Sequence, residues 1–241
     1  MTFQEEDRNV GILGHPMDPE VLRAIGALKE FPPAPPGFRA SGDWILRYRI
    51  FGCHGYAGAG NATVGALRLQ RMAGDPFQLK VHQRIVHANG QEILDVEMTC
   101  RTNEIASPLA WTLTRRCLDT EGKEIAGLET SQKRNNSSAS VTSDFSLMEA
   151  VQRLPFANPK LAPFDILEEM AVLRPAHRLF FDGDRRFHHT GSGLLPYQYW
   201  LDERHRLLLV VTQWRAYILD DAAESALEQP RRRAGRKGKG K

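Results

Sequence analysis

The densest group of chemistry-bearing side chains is Asp182-Gly183-Asp184-Arg185-Arg186-Phe187-His188-His189. Two carboxylates beside two imidazoles can ligate a metal ion or share acid and base roles, since histidine titrates near neutrality. The spacing restricts that chemistry. Neighbouring residues of a strand point to opposite faces, so only one of His188 and His189 can join a given site. Asp182-Gly183-Asp184 also has the composition of a tight turn. A turn with a solvated face accounts for the segment. The competing assignment is a hydrolase-like or metal-dependent enzyme built on Asp182, Asp184 and His188 or His189.

The second candidate is the glycine-rich stretch from Gly52 to Asn61, which contains Gly-x-x-Gly-x-Gly. A phosphate-binding loop needs a helix behind it whose first amides point at the anion. Here Thr63–Met72 has the alternation of a strand, so that device lacks its main part. The stretch reads as a loop at the mouth of a sheet. Tyr56 and His54 are then the expected ligand-binding residues, at the rim of any cavity. No G-x-S-x-G, H-E-x-x-H or P-loop pattern occurs, so no catalytic residue, metal ligand or cofactor is assigned. Trp44, Trp111, Trp200 and Trp214 read as core residues. Asp202, Glu203, Arg204 and His205 read as a turn with local ion pairs.

The elements that must position these groups are mostly strands. Leu194–Leu219 contains two apolar runs around the polar knot Asp202–His205, the pattern of a hairpin. Its second run, Leu207-Leu208-Leu209-Val210-Val211, is apolar on both faces, which only a covered strand tolerates. It is the expected central strand. From Trp44 the hydrophobic period is two: Trp44, Leu46, Tyr48 and Ile50 share a face opposite Arg47 and Arg49. Further strands are expected near 63–72, 77–88, 91–101, 109–119 and 124–133, joined by turn residues such as Asn89-Gly90. Strand character resumes over 177–187. Asp18-Pro19-Glu20 opens an N-terminal helix that a proline-rich spacer at 32–37 ends. Ser146 is expected to cap a short helix, and Phe164–Leu173 to form another before Pro175. The expected fold is therefore mainly β: a large curved antiparallel sheet, half-barrel or barrel-like, with an N-terminal helix and two short helices inserted late. The expected divisions are 1–40 for helix and spacer, 41–222 for the β domain and 223–241 for a disordered basic tail.

Charge and composition exclude several functions. The formal charge of the 241-residue chain is +3, but residues 231–241 alone carry seven Lys or Arg. What precedes them holds 25 basic and 29 acidic residues, so the body is no nucleic-acid surface, and an anionic partner is expected for the tail alone. Cys53, Cys100 and Cys117 form neither a metal spacing nor a paired framework. No run reaches the ~20 apolar residues of a transmembrane helix, and no signal-peptide core is seen. The default is cytoplasmic, with export if translation starts upstream.

Helix, meander, short helices and terminal strands follow in that order. They close on Tyr199-Trp200-Leu201-Asp202-Glu203 and Arg206-Leu207. In this the chain resembles uncharacterised bacterial half-barrel domains similar to the lipoprotein-carrier fold. The resemblance covers about residues 40–220 and implies a curved sheet holding lipid under a helical lid, with no catalytic residues to carry over. A binding or structural module with an apolar small molecule or lipid in its concave face is the expected function.

Overall fold

The structure is a computed structural model; it describes residues 31, 33–52, 63–87, 89–125, 130–136, 138–192 and 194–228. The predicted N-terminal helix, the loop bearing His54 and Tyr56, and the basic residues of the tail lie outside the described residues.

Every strand of the first meander follows from alternation. β1 (Trp44–Gly52), β2 (Thr63–Met72), β3 (Phe77–His87), β4 (Gly90–Cys100) and β5 (Pro108–Leu118) are joined to β6 (Thr130–Asn135) as antiparallel neighbours. In β3, Phe77, Leu79, Val81 and Ile85 are buried. Cross-strand pairs carry this face sideways: Tyr48 opposes Leu67, Leu67 opposes Gln83, Gln83 opposes Leu94 and Leu94 opposes Arg115. A period-two chain can hold all these residues on one face only in this register. The β3–β4 hairpin forms where Asn89-Gly90 places it. Gly90 is its first strand residue, at φ +148°, and a Cβ there would sit 2.0 Å from the Leu118 carbonyl oxygen.

The chain then crosses to the other margin of the sheet. β7 (Val141–Ser143) leads into helix α1 (Asp144–Arg153), followed by β8 (Phe164–Glu168), β9 (Val172–Phe181), β10 (Arg186–Gly191), β11 (Leu194–Leu201), β12 (Leu207–Val211) and β13 (Arg215–Leu219). A last short helix, α2 (Ala223–Glu228), packs on β1 and β2. The strand order β6-β5-β4-β3-β2-β1-β13-β12-β11-β10-β9-β8-β7 makes one mainly antiparallel sheet of 13 strands, open and curved. Among the described residues only β7 and β8 run parallel.

Laid flat, thirteen strands would measure ~60 Å across. Instead the five residues from 136 to 140 connect the two margins, and an extended chain of that length reaches ~20 Å. Across the hollow, Tyr217 Oη on β13 donates to Gln83 Oε1 on β3 at 3.3 Å. Helix α1, ~15 Å long, touches β2, β4, β8, β11 and β12, strands far apart in the sheet order. It therefore lies in the hollow. All five residues of β12 are buried, as expected of a strand covered on both faces, although it lies one place from the middle of the sheet, which is β13.

Three expectations change. Phe164–Leu173 is not a helix: it forms β8 and the start of β9 around a turn at Glu169 and Met170, at φ +46° and +57°. Phe164, Leu167, Met170 and Leu173 have helical spacing, whereas Phe164 and Ile166, both buried, have the period of a strand; pairing with β7 and β9 decides between them. The cap of α1 is Ser143, whose Oγ accepts from the Ser146 backbone N–H, three residues before the expected helix start. Residues 223–228, assigned to the tail, are helical: Ala223 is buried, and Glu224 pairs with Arg47 and Arg68.

Candidate functional site

A cavity of about 320 Å³ opens in the hollow where α1, the β8–β9 turn and strands β11–β13 meet. Its position follows from the same alternation. On β11 the inward residues are Tyr197 and Tyr199; on β12 Val210; on β13 Arg215 and Tyr217. The first turns of α1 add Asp144, Phe145 and Met148. Trp214, 48% exposed, stands at the rim on the β12–β13 turn.

The polar wall is organised by the β8–β9 turn. Two consecutive non-glycine residues at positive φ are costly, typically ~1–3 kcal/mol each, and persist only where surroundings hold them. Here the Glu169 N–H donates to Asp144 Oδ2 at 3.0 Å, and the Glu169 carboxylate pairs with Arg215 and, at 3.6 Å, with Arg115. Glu168 accepts from the Tyr197 hydroxyl at 3.0 Å and pairs with Arg174 at 2.9 Å. Met170, between them and the core, is buried.

Asp144 is the unusual group. Its Oδ1 accepts from the Phe145 N–H at 2.9 Å and its Oδ2 from Glu169. Desolvation, reinforced by the charges of Glu169 and Glu168, pushes its carboxyl up to about 7 despite those two hydrogen bonds. The three tyrosines stay protonated: burial raises each, Tyr217 to about 12. Their hydroxyls are committed to Glu168, His189 and Gln83 respectively.

Behind Tyr199 lies a histidine pair. His189 Nδ1 is 2.8 Å from the Tyr199 hydroxyl, and the His177 ring meets the His189 ring edge-on at 5.3 Å. Neither side chain is exposed, and burial lowers both pKa values, so both rings are uncharged at neutral pH. The His177 ring lies over Gly191, where any Cβ would come within 2.4 Å of its Cγ.

The sequence-predicted cluster separates across the sheet. His188 Nδ1 lies 2.8 Å from both Asp182 oxygens, Arg186 Nε lies 3.3 Å from Asp182, and Phe180 stacks on His188, all on the outer face. His189 points inward. Asp184 sits in the turn at φ +45°. Among the described residues no three His, Cys, Asp or Glu side chains converge to hold a metal ion. Asp202 binds the Arg206 guanidinium at 3.0 Å and accepts from the Arg204 and Arg206 backbone N–H groups, as expected of its turn. Trp44, Trp111 and Trp200 are core residues, whereas Trp214 is not.

Sequence reasoning passed over Asp144, Glu168, Glu169 and Arg215. Two of these fell in the segment read as a helix. The available signal was parity: Tyr197, Tyr199, Arg215 and Tyr217 all occupy inward positions, where polar tips are unusual. No helix among the described residues is long and apolar enough to cross a membrane. No family model matches the chain, and no curated protein or solved structure is significantly similar to it.

Proposed function

We propose that the protein is a non-enzymatic binding module that holds a small molecule of mixed polarity in this cavity. The observation that carries the reading is the cavity itself: beside a continuous hydrophobic core, about 320 Å³ stays open between apolar and polar walls. That volume is at the low end of ~300–1,000 Å³ for small-molecule sites. It favours a compact ligand over a long acyl chain. Phe145, Met148 and Val210 supply apolar surface; Asp144, Glu168 and Arg215 supply polar groups that fix orientation. The open curved sheet with a helix in its hollow is the architecture that a likeness to carrier-type folds requires. Binding rather than catalysis is favoured because Glu168, Glu169 and the arginines of the wall pair with one another, and among the described residues of the wall no nucleophile is set against a base.

The test is a small-molecule screen read at the Met148 methyl group by carbon-13 NMR. Compounds that enter the cavity shift Met148 saturably and leave Met98, which packs against Ser143 and Ser146, unmoved. Ala171→Trp, which places a bulky ring at the exposed rim, abolishes the shift. If no compound of any charge moves Met148, the cavity is not a ligand site.

A further inference from the structure

The cavity wall contains both signs of charge, and the pairing decides which sign a ligand meets. Each arginine is already matched. Arg215 bonds Glu169, Arg174 Nε lies 2.9 Å from Glu168, and Arg115 lies 3.2 Å from Glu92 and 3.6 Å from Glu169. Asp144 is the exception. Its oxygens accept two backbone N–H groups, and no cationic side chain pairs with it among the described residues.

Aromatic rings share the cavity with this carboxyl. Tyr197, Tyr199 and Tyr217 line the cavity from β11 and β13, with Phe145 from α1 and Trp214 at the rim. Each tyrosine hydroxyl is already hydrogen-bonded within the protein, to Glu168, His189 and Gln83, so these side chains offer the cavity mainly ring carbon. The face of such a ring is negative and attracts a cation within ~6 Å of its centroid.

Resting on the reading of this cavity as a ligand site, we propose that the group it receives is an organic cation. It is an ammonium or quaternary ammonium, seated among Tyr197, Tyr217 and Trp214 and paired with Asp144. A neutral apolar group would leave the Asp144 carboxylate further desolvated with nothing to offset the loss. An anion would meet Asp144, the carboxylate of the wall whose charge no cationic side chain offsets among the described residues. The raised carboxyl of Asp144 agrees: desolvation and the neighbouring Glu169 and Glu168 disfavour its charge, and a bound cation would offset both.

The probes are choline, the uncharged isostere in which carbon replaces its nitrogen, and acetate, each titrated against the full chain with Met148 as reporter. Choline is expected to saturate in the millimolar range or tighter, with the isostere and acetate at least about tenfold weaker. Choline affinity is expected to fall roughly tenfold from about pH 8 to about pH 6, as Asp144 takes up its proton. Asp144→Asn removes that pH dependence and the preference over the isostere. If that variant does not fold, the pH series on the native chain decides alone. Equal binding of isostere or acetate, or a choline affinity that does not change with pH, overturns the cation assignment while leaving the cavity as a ligand site. Silence from choline overturns the assignment as well, and silence from every compound removes the ligand site itself.

Discussion

Asp144 concentrates the tension of the site. A carboxyl raised to about 7 favours the folded state when protonated. The stability it contributes is complete below about pH 4, the ordinary carboxylate range, and is lost as the pH rises towards 7. The buried His177 and His189 act with the opposite sign, since their lowered pKa values cost stability as the pH falls below about 6.5. Comparing the native chain with Asp144→Asn isolates the first effect. Between about pH 5 and pH 8 the native chain should lose roughly 2 kcal/mol relative to the variant, read from urea midpoints. Parallel curves for the two proteins would mean that Asp144 ionises normally. The sequence gives no hint of this group, because its environment is assembled from a helix start, a hairpin turn and two strands distant along the chain.

At the scale of elements, α1 and the β8–β9 hairpin fix the cavity. α1 is anchored by Glu149, which is fully buried and accepts from Arg71 Nε on β2 at 2.7 Å and from Arg153 Nε at 2.8 Å. Arg71 also stacks on Phe77, with its guanidinium carbon 4.5 Å from the ring centre, and donates to the Gly42 carbonyl at 2.9 Å. Glu149→Gln leaves two guanidinium groups without their anion in the core. The expected loss is about 3–5 kcal/mol by urea unfolding; a loss under about 1 kcal/mol would show that α1 is held by its apolar face alone. On β10, Gly191 exists to admit the His177 ring. Gly191→Ala should cost about 1–3 kcal/mol, and His177→Ala in the same chain should restore most of it. No rescue would place the strain elsewhere. The hairpin Phe164–Phe181 was hidden in sequence because its apolar spacing suits a helix. The meander was plain because charged and apolar residues alternate there without interruption, as in Gln78, Lys80 and His82 against Phe77, Leu79 and Val81.

For the whole molecule, the curved, mainly antiparallel sheet and its doubly covered strand at Leu207–Val211 were legible, while its margin at β7 to β9 was not. Strict alternation and a five-residue apolar run have few other solutions. The site was not legible. The cluster Asp182 to His189 drew notice by composition, but a strand sends its neighbours to opposite faces, which puts the Asp182–His188 pair outside and His189 inside. The cavity arises from curvature, which brings Arg115 of β5 to Glu169 near the opposite margin, and curvature is a property of thirteen strands together. The proposal that it is a ligand site is tested most directly by native mass spectrometry of the full chain purified from its own host. The expected result is a bound small molecule on the native protein that is absent from Ala171→Trp. A native protein that carries nothing, or an adduct that Ala171→Trp retains, would contradict a ligand site in the hollow of the sheet.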